Sequence, residues 1–434
     1  MFNFTNGSNL KLWCYEGLWL FLTALLRLCG WFSPKLSQQL SLRQDARKQM
    51  DGWARQRARF PKSFLFVCSS AGEYEQAKPL LKRLEQRGDC ALFILFFSNS
   101  GVKFALSQKE SLPFALVASD SPAYWREVAA QLRPDALIFV RYELWPGMVH
   151  TLKHFAPLYL VDGIEAPHLR QKHAARMLRA SLLRPMKTIF LVSEGDRDFY
   201  EEVLHCPRVK LSVTGDTKYD RVLERIAERQ GALEVLQASL KEFLVERRVI
   251  VLGSAWPRDL QEFLSIYRQL KDLEPRLAVI VAPHDLSAAN ILAMKAMMEG
   301  LRICQVTVEG YRKAGAEHDV LLVDVLGDLP ELYGCADLAW VGGALHYRVH
   351  NVLEPACRGL YLCFGPLHQT SQEAKVLVNQ GLARVIHNGS EFFQWYKNLA
   401  WTLQPPHQAL WQAVVEQKGA SQRIIHEITA TWQT

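Results

Sequence analysis

A short apolar run, Ser63-Phe64-Leu65-Phe66-Val67-Cys68, gives way to Ala77, Leu80, Leu81 and Leu84 at helical spacing. The first pattern predicts a buried strand, the second a helix that covers it. The alternation recurs at Cys90 to Phe97, at Ala136 to Val140 after a helical stretch from Trp125 to Leu132, at Pro157 to Val161 and at Thr188 to Val192. A second series begins at Val249 to Gly253 and continues through Leu277 to Ala282, Val320 to Val323, Leu338 to Val341 and Tyr361 to Phe364. Strands that are apolar on both faces and separated by helices belong to parallel sheets covered on both sides. The charged helical stretch Asp220 to Arg247 reads as a linker between the two series. The expectation is therefore an N-terminal domain over 36–220, a linker over 221–247 and a C-terminal domain over 248–434, with a ligand cleft between the domains. The 434 residues suit this division, since one hydrophobic core seldom serves so long a chain.

Ahead of both series, Leu10 to Phe32 is an apolar run of about 23 residues, interrupted by Lys11, Glu16 and Arg27 and ended by Ser33-Pro34-Lys35. It is long enough to cross a hydrocarbon core with some tilt. Trp13, Tyr15, Trp19 and Trp31 suit the membrane interface, and Arg27 can snorkel. Residues 1–35 are expected to form a membrane-anchor helix that spans the bilayer or lies in its interface; a buried core helix is the alternative. A secretory signal is disfavoured, because Met1 to Asn9 has no basic side chain and no small-residue cleavage site follows.

Hydrophobic residues make up 49% and charged residues 22% of the chain, the range of a folded globular protein. Lys and Arg exceed Asp and Glu by 51 to 44, and the excess gathers between Lys35 and Lys62, where eight cations face only Asp45 and Asp51. Next to an apolar segment, such a basic collar places the following domains on the cytoplasmic side. Without aromatic interleaving or a recognisable module, it does not point to nucleic acid; a solvated helical face is the other reading for part of it. The nine cysteines are scattered and include no CxxC pair, so free thiols in a reducing compartment are expected, and no metal site.

Three segments carry candidate chemistry. Ser69-Ser70-Ala71-Gly72-Glu73 sits where the first strand hands over to a helix, and its small residues let a ligand approach the backbone. Glu73 there could act as a base, or simply complement the helix dipole from the first turn. Arg141-Tyr142-Glu143-Leu144-Trp145-Pro146 follows another apolar strand and reads equally as a ligand edge or as a charged turn with Leu144 and Trp145 packed inward. In the second half, Gly342-Gly343 precedes His350-Asn351-Val352-Leu353-Glu354-Pro355. A helix opening there can bind phosphate, and Asn351 as N-cap with Glu354 three residues on also makes a complete capping box.

Taken in order, these segments resemble the 3-deoxy-D-manno-octulosonic acid (Kdo) transferases, which add Kdo to lipid A. The likeness extends over most of the chain. It includes Ser70-Ala71-Gly72-Glu73, Glu143 to Pro146, Ser193-Glu194-Gly195-Asp196, Val213-Thr214-Gly215 with Lys218 and Asp220, Gly253-Ser254, Pro283-His284, Gly342-Gly343, His350 to Pro355 and Phe364-Gly365-Pro366. The resemblance implies a glycosyltransferase B-type fold of two Rossmann-like domains, the second binding CMP-Kdo, the first a lipid A precursor. It implies Glu73 as the base of an inverting transfer, Glu143 shaping the site, Ser70 and Gly72 on the acceptor side, and His284, Gly342, Gly343, Asn351 and Glu354 on the donor side. It implies no metal or other cofactor. Three positions depart from the family pattern: Arg141 in place of an acidic residue, Pro283 in place of an Arg before the His, and Val349 in place of a Gly. A related transferase with a different nucleotide sugar, or a non-catalytic binding relative, are the alternatives these departures leave.

Overall fold

The computed structural model describes residues 15–17, 19, 48–55, 57–141, 143–166, 168–206, 209–307, 310–399 and 407–430. The chain divides into two compact units, one comprising residues up to Arg221 together with Lys418 onward, the other Val222–Gln417.

The first unit is built on a seven-stranded sheet in the order β3-β2-β1-β4-β5-β6-β7, from β1 (Lys62–Cys68), β2 (Cys90–Phe96), β3 (Phe114–Leu116), β4 (Ala136–Val140), β5 (Leu158–Gly163), β6 (Met186–Leu191) and β7 (Lys210–Val213). Every pairing is parallel. β2 and β4 are buried along their whole length, as a sheet covered on both faces requires. The second unit repeats the plan in the order β10-β11-β9-β8-β12-β13-β14, from β8 (Arg248–Ala255), β9 (Leu277–Pro283), β10 (Ile303–Val306), β11 (Val320–Val323), β12 (Leu338–Val341), β13 (Tyr361–Phe364) and β14 (Arg384–Val385). In each sheet the strand order reverses beside its first strand, between β1 and β4 and between β8 and β12. At such a switch point the flanking connections leave on opposite faces, opening a crevice at the carboxyl ends of the strands.

Two expectations about boundaries meet a different arrangement. The stretch read as a linker forms helices Thr217–Glu228, Gln230–Ser239 and Lys241–Leu244, and from Val222 it belongs to the second unit, with Leu233, Leu236 and Phe243 buried. The helix Ala420–Ala430, expected with the second domain, instead places Ile424, Ile425 and Ile428 in the first unit's core beside Leu80 and Leu84 of helix Ala71–Arg87. Apolar complementarity to that helix outweighs sequence distance.

The apolar segment expected as an anchor lies outside the described residues apart from Tyr15–Gly17 and Trp19. Among the described residues no helix is long and apolar enough to cross a membrane. Part of the basic collar is accounted for by packing. Met50 and Trp53 are buried, and Arg57 and Lys62 both pair with Asp135, at 3.1 and 3.4 Å.

Candidate active site at the strand edges

In the first unit, β1 ends at Cys68 and the helix Ala71–Arg87 begins two residues later with Ser70 as its N-cap. Glu73 lies in its first turn, and its Oε2 accepts the backbone N–H groups of Ser69 at 2.7 Å and Ser70 at 2.9 Å, together with the Ser69 hydroxyl. The capping role and the catalytic role are therefore not exclusive: one carboxylate oxygen caps the helix, while Oε1 has no hydrogen-bond partner among the described residues. Burial first, and the Glu73 charge second, push the Cys68 thiol well above its ordinary value. A methyl group built on Gly72 would meet only the Ser70 hydroxyl, at 3.8 Å. The protein's own packing therefore does not require glycine there.

β4, the neighbour of β1, delivers Arg141 and Glu143. Trp145 opens helix Pro146–Leu152, donates its indole N–H to Glu143 Oε1 at 2.7 Å and stacks on Phe97 at 5.5 Å, so this edge is both charged and packed. Arg141 adopts a left-handed conformation, φ 59°, and its guanidinium reaches Asp216 at 2.7 Å. Asp216 also accepts from Lys218 N–H at 2.8 Å and Gln76 at 3.4 Å, tying the β7 end to the Glu73 helix. Beside it Asp162, fully buried and accepting from the Thr217 backbone and hydroxyl, is raised above the usual carboxylate range by burial first and by Asp216 second; Arg141 pulls the other way. Of the remaining motif residues, Asp196 exchanges cap bonds with Ser193, and Asp220 accepts from Gly419 and Ser421, holding the start of the returning C-terminal helix.

In the second unit the carboxyl edge carries an aromatic cluster. Trp256, just beyond β8, stacks on His284 at 4.7 Å, and His284 stacks on His350 at 4.3 Å; His346 meets Trp256 edge-on at 4.7 Å. The Trp256 indole N–H donates to His350 Nε2 at 3.0 Å. Burial first, then His284, Arg348 and His346, push His350 down to about 4, and burial lowers His284 as well. Trp256, Pro257, Arg258, Leu345 and His346 line a cavity of about 360 Å³.

The glycines here answer to the protein's own backbone. A methyl group on Gly342 would stand 2.4 Å from the Ser254 carbonyl oxygen, and Gly343, at φ 93°, would bring one within 2.4 Å of the Arg348 carbonyl oxygen. The Gly343 N–H is taken by Asp259, buried beneath it, at 2.9 Å. The capping box expected over Asn351 and Glu354 does not form. Val352 is the N-cap of the short helix Leu353–Cys357, the Asn351 side chain accepts from Leu353 N–H at 3.0 Å, and Glu354 turns to Arg225 at 3.3 Å. An Asx turn two residues long satisfies the helix start before a three-residue reach is needed.

The profile of a family described as 3-deoxy-D-manno-octulosonic-acid transferase (kdotransferase) matches residues 40–221. The 3-deoxy-D-manno-octulosonic acid transferase of Chlamydophila psittaci is 26% identical over 73% of this chain and 72% of its own length. That of Aquifex aeolicus is 24% identical over 76% of this chain and 86% of its own. The chain is thus similar to Kdo transferases, by a profile over residues 40–221 and by relatives over about three quarters of its length. Among solved structures, UDP-GlcNAc 2-epimerase from Neisseria meningitidis superposes with a TM-score of 0.60 at 12% identity, covering 85% of this chain and 100% of that one. MurG from Acinetobacter baumannii gives 0.53 at 18% identity, covering 85% of this chain and 100% of its own. These likenesses establish the B-type glycosyltransferase fold, and this Kdo transferase relative is a glycosyltransferase.

Within that family frame, the first unit brings Ser70, Gly72 and Glu73 together and sets Glu143 at the end of the adjacent strand. The second unit brings His284, Gly343 and His350 together, and Glu354 is engaged by Arg225. Sequence reasoning missed Trp256, His346, Asp259 and the Arg141–Asp216–Asp162 network. Trp256 had a readable signal, an aromatic residue two positions after Gly253-Ser254 at a strand end. Asp216 had none, because its partner is 75 positions away. Among the described residues no group of three or more His, Cys, Asp or Glu side chains is placed to hold a metal ion.

Proposed function

We propose that the chain transfers Kdo from CMP-Kdo to a lipid A precursor in lipopolysaccharide synthesis, at the cytoplasmic face of the inner membrane, with Glu73 as general base. The observation that carries this is the state of the Glu73 carboxylate at the β1/β4 switch point. Oε2 is fixed by two backbone N–H groups and a hydroxyl, while Oε1 is left to accept a proton. A base held in this way keeps its orientation without spending the oxygen that reacts. As the lipid A hydroxyl attacks the anomeric carbon, Glu73 takes its proton and CMP departs, inverting the centre. Gly72, unneeded by the protein's own packing, leaves room for the acceptor, and Glu143 shapes the same edge. On the donor side, the cavity beside Trp256 supplies an aromatic wall for a pyrimidine, with His284 and His350 in the stack and Arg258 and Arg348 to meet phosphate and carboxylate. The N-terminal segment would hold the acceptor-binding unit at the bilayer.

Incubation of the purified protein with CMP-Kdo and a lipid A precursor tests the reading; a folded protein that transfers nothing rules it out. Glu73→Gln keeps a carbonyl oxygen for the cap and should lower turnover by about a hundred-fold or more while CMP still binds. Unchanged turnover would remove Glu73 as the base. A second reading, transfer from a different nucleotide sugar, is favoured by Pro283, which stands where the family pattern has an Arg directly before the His. Competition of CMP-Kdo with other nucleotide sugars for binding decides between the two.

A further inference from the structure

Two aromatic residues of the N-terminal apolar run, Tyr15 and Trp19, turn toward the body of the first unit. Residues 15–17 and 19 are helical, and positions four apart share one face of a helix. On that face the two rings meet edge to face, with centroids 6.4 Å apart. The Tyr15 hydroxyl donates to Asp120 Oδ2 at 2.7 Å, and the Trp19 ring meets the Trp145 ring at 6.5 Å and 66°. Glu16, in the same turn, pairs with Arg126 at 3.5 Å. A hydroxyl bond, an aromatic contact and an ion pair made together fix one register of the segment on the unit.

Both contact points lead to Glu143. Asp120 is buried, and its carboxylate takes the Tyr15 hydroxyl, the Trp125 indole N–H at 2.7 Å, and the backbone N–H groups of Gly147 and Met148 at 2.9 and 2.8 Å. The last two open helix Pro146–Leu152, whose N-cap residue Trp145 provides no side-chain acceptor. Asp120 therefore caps that helix from outside. The fit is close, since a methyl group on Gly147 would stand 1.7 Å from the Asp120 carbonyl oxygen. Trp145 itself has Phe97 on its face and Trp19 at its edge, and it donates to Glu143 Oε1 at 2.7 Å. Glu143 and Trp145 are half-buried, so a ligand can reach this edge. Burial first pushes the Tyr15 hydroxyl above its ordinary value; Trp19 opposes the shift and Asp120 adds to it, so the hydroxyl stays a donor.

We infer that Tyr15 and Trp19 are positioning residues of the candidate site, acting through Asp120 and Trp145 to fix the Glu143 carboxylate. A site residue on a strand-end turn keeps its place only as well as the shell behind it is held. Here that shell has two supports from the N-terminal helix, one on the cap of helix Pro146–Leu152 and one on the indole that binds Glu143. Loosening either lets the carboxylate drift, and small displacements of a site group are costly in rate. The inference rests on the transfer reaction proposed above. It gives the N-terminal segment a part in turnover that does not depend on a bilayer.

The test uses the full chain, CMP-Kdo and a lipid A precursor presented either in phosphatidylcholine vesicles or in detergent micelles. Tyr15→Phe/Trp19→Leu keeps the segment apolar and should lower kcat/KM for the acceptor about ten-fold in both presentations, with the KM for CMP-Kdo unchanged. Trp19→Phe alone, which retains an aromatic edge, should keep most of the turnover. Hydrogen exchange in the double variant should quicken at Gly147 and Met148, whose cap has lost a partner, while the β2 amides keep the parent's protection. A loss confined to vesicles would mean that the two residues serve a tether only and would overturn the inference; so would parent-like turnover, whatever the exchange shows. If the parent transfers nothing, the function proposed above falls by itself. Exchange at Gly147 and Met148 then decides this contact alone, and an unchanged rate there overturns it.

Discussion

At the residue scale, the decisive features are polar atoms with assigned partners. An indole N–H can only donate, so His350 Nε2 must accept, and the ring is held as the neutral tautomer that carries its proton on Nδ1. Protonation of Nε2 would set donor against donor. Trp256→Phe removes that constraint while keeping an aromatic face, so the His350 pKa should rise from about 4 toward its ordinary 6.5; burial, His284, His346 and Arg348 keep it from arriving there. Histidine NMR titration of the variant checks this, and an unmoved value would show that burial and the neighbouring cationic groups set it without the indole. Arg141 shows the limit of reading positions singly. Its departure from the family pattern was legible, but its meaning, a pair with Asp216 only 5% exposed, was not. Asp216→Asn takes the pairing carboxylate from the buried guanidinium and should cost about 3–5 kcal/mol, whereas Arg141→Met/Asp216→Asn should recover much of the loss. Denaturant unfolding of the single and double variants measures both.

At the element scale, the buried strands were legible and the edges were not. All four strands absent from the sequence reading, β3, β7, β10 and β14, end a sheet in the observed order. A central strand is buried on both faces and reads as a continuous apolar run, as Leu338–Val341 does. An edge strand such as Lys210–Val213 has no fully buried residue, and Ile303–Val306 alternates, so neither yields that signal. Glu73 was legible as a first-turn residue but its cap with Ser70 was not, the box read at Asn351 and Glu354 gave way to an Asx turn, and a cap that comes from afar is invisible. Asp220 accepts Gly419 N–H at 2.5 Å and Ser421 N–H and hydroxyl at 2.7 and 2.6 Å, across about two hundred positions of chain. Asp220→Ala would leave these donors unmatched at the start of helix Ala420–Ala430, at a cost of about 3 kcal/mol. Hydrogen exchange should then quicken over that helix while the β1 and β4 amides stay protected.

At the scale of the whole molecule, the chain completes its first unit with its last described helix. Ile424, Ile425 and Ile428 are 0%, 6% and 0% exposed, packed in the same core as Tyr74, Leu80 and Leu84, so a segment that follows the whole second unit in sequence is needed by the first. Arg83 adds a bond to the Ser421 hydroxyl at 2.7 Å, and Arg423 donates twice to the Thr214 carbonyl, at 2.9 and 2.7 Å. The helix therefore secures both the Glu73-bearing helix and the loop that carries Asp216. Removing residues after Gln417 takes away three buried isoleucines, each worth about 1.5–3 kcal/mol as an upper bound, and uncovers the core they share with Leu80 and Leu84, a loss on the scale of a domain's whole stability. The second unit, Val222–Gln417, keeps all its own strands in the truncated chain. Limited proteolysis should thus cut the first unit rapidly and spare the second, and on the function proposed above transfer should fail while CMP binding by the second unit persists. Equal loss of both units on truncation would show that they do not hold their structure separately.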